Sequence, residues 1–327
     1  MTKHLLTISI PTYKRCQYVV ENVQHLIPQL LAHQDEVRLI VTDNHSEDGT
    51  YEALQPIARQ YPDLITVYEQ EENIGWMNNF FFGIEHADSD YVYLLGDDDI
   101  VSPDFLNVVL PILRKSDERL GMLHFNYIKG PEALNKESLL YPNFENAEMI
   151  VRYTDAYEFV TKFNTGPSFI SSVIFRKDCM LRGKAENLQP STFGYSWFLC
   201  LYTGIVGYDV LYYKMPLVVQ RLGGSYPGYC FNYVIGMYNV YKYLDPYVPG
   251  VKAFWEEEFS KQHDTIAMNL NQIIEHRDMY LQHYDLFAEA LPGKQLKEML
   301  HVALCWPKFW ARKYFKIYWM YKKYCKA

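Results

Sequence analysis

Three carboxylates in a row, Asp97, Asp98 and Asp99, close an apolar and aromatic run, Tyr91-Val-Tyr-Leu-Leu-Gly96. Such a run reads as a buried strand, so the charges stand at its tip. Adjacent carboxylates repel one another unless a cation sits among them. Hard oxygen ligands at a strand end suit Mg2+ or Mn2+, which keep few protein ligands and bridge to substrate phosphates. An ion held there would neutralise a diphosphate and stabilise it as a leaving group. The plainer reading is a solvated acidic turn, with Asp104 capping the next helix.

Three other polar clusters bear on that choice. Pro11-Thr-Tyr-Lys-Arg15 follows the first apolar run, Asp43-Asn-His-Ser-Glu-Asp-Gly-Thr50 the second, and Asn73-Ile-Gly-Trp-Met-Asn78 the third. Asp48-Gly49 is good turn chemistry whatever it binds. Further on, Gly166-Pro-Ser-Phe-Ile-Ser-Ser172 offers hydroxyls to a sugar, although such residues are commonplace on strands. Arg221 pairs well with phosphate, because a guanidinium grips two oxygens at once. A surface arginine before a turn is the alternative. Gly223 and Gly224 suggest a loop that closes over a ligand. Trp76 and Trp197 are candidate stacking platforms, and each would also suit a core.

The elements that must position these clusters alternate. Strands are expected at 5–11, 37–42, 64–68, 91–95 and 121–127. Helices are expected at 15–31, 47–60, 78–86 and 103–115. This alternation predicts an α/β fold with a parallel sheet and right-handed crossovers. Ligands then bind beyond the carboxyl ends of the strands, where all four clusters converge. Residues 130–150 read as a loop, 168–176 as a strand, 193–203 as a helix and 208–213 as a strand. From about 231 the pattern is helical.

The 327 residues are 49% hydrophobic and 16% aromatic, enough for a large core. The net charge of -8 hides an asymmetry: residues 305–327 hold seven Lys or Arg and no acid, leaving -15 for residues 1–304. So acidic a body argues against a nucleic-acid surface. The tail mixes its cations with nine aromatics, which suits a helix lying on an anionic membrane. Packing of those aromatics on the body is the competing reading. No transmembrane run and no signal peptide are read, so a cytoplasmic protein, peripheral on the inner face of the plasma membrane, is expected. Six scattered cysteines are read as reduced packing residues.

Taken together, Ile8-Ser-Ile-Pro-Thr-Tyr13, Ile40-Val-Thr-Asp-Asn-His-Ser-Glu-Asp-Gly-Thr50, Asn73-Ile-Gly75 and Leu94-Leu-Gly-Asp-Asp-Asp99 resemble the family 2 glycosyltransferases. The nearer likeness is to bacterial O-antigen and polysaccharide enzymes, including abequosyltransferases. The resemblance implies a GT-A fold, a Rossmann-like, mostly parallel sheet, over 1–228. Residues 1–130 would be its nucleotide half and 131–228 its acceptor half, with a helical extension over 229–327. It implies a nucleotide-diphospho-sugar donor near Pro11, Thr12, Tyr13, Arg15, Asp43, Asn73, Gly75, Asp97, Asp98 and Arg221. A Mn2+ or Mg2+ ion would sit on Asp99 and Asp97. The acceptor would be a lipid-linked, undecaprenyl diphosphate glycan.

The second half departs from the family pattern. Where an acid pair should begin a helix, Tyr195 and Ser196 stand. Glu186 could supply the base, the leaving phosphate could assist a retaining transfer, or the domain could be inactive. The Gln-x-x-Arg-Trp signature of processive synthases is missing, which favours single-sugar transfer. A nucleotidylyltransferase would need a Gly-rich loop after the first strand, and a non-catalytic nucleotide-sugar or glycan-binding scaffold would lack donor turnover.

Overall fold

The computed structural model describes residues 4–130, 149–187, 195–221, 229–261, 266 and 269–325. The chain divides into two compact units, Met1–Asn187 with Cys200–Gly223, and Leu188–Leu199 with Gly224–Ala327.

The first unit opens with four strands, β1 (His4–Thr12), β2 (Val37–Asp43), β3 (Ile65–Glu69) and β4 (Ser89–Leu94). They pair in parallel in the order β3-β2-β1-β4. β1 is buried along almost its whole length, as expected of a parallel strand covered on both faces. The covering helices are α1 (Cys16–Ala32), α2 (Thr50–Gln60), α3 (Trp76–His86) and α4 (Phe105–Lys115). α1 buries Val19, Asn22, Val23, Leu26, Gln29 and Leu30, one face of a 3.6-residue period. Two of those six are amides, and their partners lie between the end of β4 and the first turn of α4.

Beyond β4 the sheet changes character. A two-residue strand, β5 (Ile100–Val101), follows the carboxylates directly. The other strands are β6 (Leu120–Gly130), β7 (Ile150–Tyr153), β8 (Val173–Arg176) and β9 (Asp209–Arg221), with α5 (Ala156–Phe163) and α6 (Lys177–Asn187) between them, and with α7 (Ser196–Gly204), in which the division between the units falls after Leu199. The order continues β4-β8-β6-β9-β5, with β7 on β9. β8 runs antiparallel to both β4 and β6, so β6 does not extend the parallel array as the sequence suggested. The long β6–β9 ladder is parallel again.

Two expected strands differ in length. Of 168–176 only Val173–Arg176 is extended; Gly166–Ser168 and Ile170–Ser172 form 3-10 turns. Pro167 has no amide to give a ladder, and the Ser172 hydroxyl donates to Phe169 O at 2.7 Å, holding the turn. β9 runs on past 213 to Arg221 despite Pro216. The ladder with β6 shifts register around Asn126, opposite that proline, and the irregularity absorbs the missing donor. Most of the expected loop, 131–148, lies outside the described residues, as do 193 and 194 at the start of the expected helix.

The second unit is helical: α8 (Tyr229–Leu244), α9 (Val251–Ser260), α10 (Leu270–Glu275), α11 (Arg277–Gln282), α12 (Tyr284–Ala290), α13 (Lys294–Cys305) and α14 (Lys308–Cys325). Its core centres on Trp255, which stacks on Phe259 with ring centroids 4.8 Å apart and lies 6.1 Å from Tyr241. Among the described residues no helix is long and apolar enough to cross a membrane.

Candidate functional site

The carboxyl ends of β1, β2 and β4 meet the start of α3 around a cavity of about 280 Å3. Pro11 and Thr12 end β1, Tyr13 and Arg15 come from the loop after it, and Asn44 comes from the loop after β2. Asn73, Trp76, Asn79 and Phe80 come from the turn and helix after β3, Asp97 from the loop after β4, and Ile170 from the 3-10 turn before β8. Parallel strands all point their carboxyl ends the same way, which is why four distant segments of chain share one wall.

The three aspartates have three different environments. Asp97 is buried, and accepts from Thr12 Oγ1 at 2.8 Å and Arg15 Nη1 at 3.1 Å. Burial pushes its carboxyl above the usual range, while the Arg15 charge and the Thr12 hydroxyl pull it back. Asp98 is the least buried of the three and accepts from the same Arg15 nitrogen at 2.6 Å. One guanidinium thus stands against two carboxylates.

Asp99 turns inward. Its Oδ2 accepts from Ser171 Oγ at 2.6 Å and its Oδ1 from the Arg221 amide at 3.3 Å. Burial pushes this carboxyl up to about 7, partly offset by the Ser171 hydrogen bond. The turn that carries all three is held from two sides. Asn22 Nδ2 donates to Gly96 O at 3.1 Å and Asp99 O at 2.8 Å, and Gly96 N donates to Ser171 Oγ at 2.8 Å. A Cβ on Gly96 would come within 2.6 Å of Asp99 Oδ2, so the close approach needs glycine. Asp104 is the N-cap residue of α4 but makes no side-chain cap hydrogen bond.

The opposite wall is an amide network. Asn44 Nδ2 donates to Asn73 Oδ1 at 3.0 Å, and Asn73 Oδ1 also accepts the Gly75 amide at 2.9 Å. Ile74 N donates to Asn44 Oδ1 at 3.0 Å. Gly75 takes φ +81°, a conformation costly for any residue with a Cβ, and so turns the chain into α3. Asp43 is only 1% exposed and accepts the Ser46 hydroxyl. Burial raises its pKa, with the Ser46 hydrogen bond opposing.

Of the residues singled out by sequence, Pro11, Thr12, Tyr13, Arg15, Asn73, Asp97 and Trp76 share the cavity wall. Asp43, Gly75 and Asp98 stand beside it in the chain. Arg221 ends β9; its Nη2 donates to Glu21 Oε1 at 2.8 Å, and its guanidinium lies 5.2 Å from the centre of the Tyr18 ring. Trp197 is buried. Glu186 falls on α6, and its side chain lies outside the described residues, as do Gly223 and Gly224. Asn22, Asn79 and Phe80 escaped the sequence reading, while Asn44 and Ile170 entered it only as members of their clusters. Asn22 carried a signal, since an amide sits where the helical period calls for an apolar residue.

The model of glycosyl transferase family 2 matches residues 7–178, which takes in the first four strands and the carboxylate turn. A relative among curated proteins is the abequosyltransferase RfbV of Salmonella typhimurium, 30% identical over 105 residues. That stretch is 32% of this chain and 31% of the relative, so the match spans about a third of that protein's length. Among solved structures, S. aureus TarS 1–349 in complex with UDP aligns with TM-score 0.57 and 13% identity, over 91% of this chain and 86% of that one. The mannosyltransferase PcManGT from Pyrobaculum calidifontis, in complex with GDP-Man and Mn2+, aligns with TM-score 0.54 and 15% identity, over 100% of this chain and 89% of that one. At those identities the likeness is one of fold, and it is the GT-A fold. With more than half its length inside the family model, the chain belongs to glycosyl transferase family 2.

Proposed function

We propose that this protein transfers a single sugar from a nucleotide-diphospho-sugar to an acceptor hydroxyl. The observation that carries the reading is the cavity at the strand ends, walled by Tyr13 and Trp76 and floored by Asp97 beside Arg15. Tyr13 is 40% and Trp76 53% exposed, so flat ring faces are available to a base or sugar. The Arg15 guanidinium, paired here with Asp97 and Asp98, would meet the diphosphate.

The donor set fits a divalent ion. Among the described residues no group of three or more His, Cys, Asp or Glu could hold a metal ion by itself. Mg2+ and Mn2+ sites of this kind take one or two carboxylates and complete their shell from substrate phosphates. We place the ion on Asp98 and Asp97, which already face one cation, Arg15; Asp99, turned inward onto Ser171 and the Arg221 amide, anchors the turn instead. When bound, the ion would offset charge on the departing nucleoside diphosphate.

Titration calorimetry with UDP-, GDP-, CDP- and dTDP-sugars, with and without Mn2+, tests the reading. One nucleotide should bind in a metal-dependent way, and Asp98→Ala should weaken it at least tenfold. Binding indifferent to both metal and Asp98 would remove the metal-dependent mechanism.

The acceptor is proposed to be a lipid-linked, undecaprenyl diphosphate glycan of an O-antigen or other surface polysaccharide, met at the inner face of the plasma membrane. The likeness to an abequosyltransferase supports that choice. Glu186 on α6 is the proposed base. An inverted anomeric product, read by NMR and lost in Glu186→Gln, would bear this out. A retained configuration would instead assign the acceptor's proton to the leaving phosphate.

A further inference from the structure

The last helix of the second unit is apolar on two sides. α14 packs beside α13 through a seam in which Ala311 and Phe315 are buried and Tyr314, Tyr318 and Lys322 half-buried. Successive helical residues turn by about 100°. The side facing away from that seam therefore carries Phe309, Lys313, Ile317 and Met320, with Trp310 and Tyr321 next to them. Phe309 is 69% exposed, Ile317 58%, Met320 52% and Tyr321 62%. A helix lying on a globular body needs only one apolar stripe. A second, contiguous and exposed, marks a surface that something else covers.

Charge says what covers it. Residues 305–327 hold seven cations and no acid. Arg312, Lys316 and Lys323 lie along the flank between seam and exposed face, and with Leu270, Phe315, Trp319 and the edge residue Met320 they line a groove of about 480 Å3. Lys313 Nζ stands 5.0 Å from the centre of the Trp310 ring, and Lys322 Nζ 5.7 Å from that of Trp319. A second copy of the chain would set this cationic face against its own like charge. An anionic lipid surface offers apolar depth for the rings and phosphates for the flank. Trp and Tyr prefer that level of a bilayer.

We propose that this face of α14 docks the protein on an anionic bilayer, the helix lying in the headgroup plane and the Arg312–Lys316–Lys323 groove receiving lipid phosphates. The inference deepens the proposed acceptor side, resting on that reading for its purpose, since a lipid-linked acceptor would be met at the surface where α14 lies.

Co-sedimentation of the full chain with vesicles tests it. Vesicles of phosphatidylcholine with phosphatidylglycerol should pull the protein down at low salt, pure phosphatidylcholine should not, and 1 M NaCl should release it. Each cation near such a surface strengthens partitioning about fivefold, so Arg312→Gln/Lys316→Gln/Lys323→Gln should weaken binding roughly a hundredfold. Phe309→Ser/Ile317→Ser/Met320→Ser should weaken it as strongly. Both variants alter exposed side chains and should bind the nucleotide donor as the wild type does, which reports folding separately. Vesicle binding without donor binding would sink the transferase reading and leave the docking standing. No vesicle binding, equal binding to neutral vesicles, or binding indifferent to both variants overturns the docking. Self-association abolished by the apolar variant, without vesicle binding, would give the face to a second copy and equally overturn it.

Discussion

One residue type in three consecutive positions acquires three characters here. Asp97 is paired with a cation and a hydroxyl, Asp98 shares the cation at the rim, and Asp99 is buried against a serine and an amide. Only burial and partners distinguish them. His124 shows the same effect with the opposite sign. Its Nδ1 donates to Ser172 O at 3.0 Å inside a ring of Phe159, Phe163 and Tyr212, and burial pushes it down to about 4. The native ring therefore stays neutral while the unfolded chain takes up a proton near pH 6.5. Between those values the unfolded state binds more protons, so the stability this group contributes is complete above about pH 6.5 and is lost as pH falls towards 4. In urea unfolding, the stability difference between wild type and His124→Gln should shrink by about 2 kcal/mol from pH 7 to pH 5. A constant difference would mean that the native and unfolded states take up this proton alike.

At the scale of elements, the carboxylate turn owes its shape to its neighbours. α1 sends Asn22, His25 and Gln29 down one face. They meet Gly96 O and Asp99 O, then Val101 O, then Ser102 O and the Leu106 amide. The 3-10 turn before β8 adds Ser171, whose own carbonyl accepts the Tyr93 hydroxyl at 2.9 Å. β5, paired with β9, draws the end of β9 up to Asp99. Ser171→Ala leaves Gly96 N and one Asp99 oxygen without that partner. It should cost about 1–3 kcal/mol in urea unfolding and weaken donor binding severalfold. Unchanged donor affinity in a folded variant would show that the turn keeps its shape without the clamp.

At the scale of the whole molecule, local signals were strong where a segment's fate depends on itself. The near-continuous apolar run of β1, the helical period of α1, the polar residues just past each strand and the unbalanced charge of residues 305–327 could all be read directly. Parallel β1, β2, β3 and β4 follow from their alternation with helices, and a parallel sheet brings its ligand loops to one edge whatever else the chain does. The rest depended on contacts between segments far apart in sequence. β8 inserts antiparallel between β4 and β6, and β5 is only two residues long, so pairing partners rather than propensity decide both. Asp99 looks like its neighbours until Ser171, 72 residues away, takes its oxygen. The tail's composition announced an amphipathic helix, yet only packing decided that Ala311 and Phe315 face the body while Phe309, Ile317 and Met320 face out. Composition and period determine what a segment can bury; the tertiary structure decides which part of it is buried, because that choice belongs to the surface it meets.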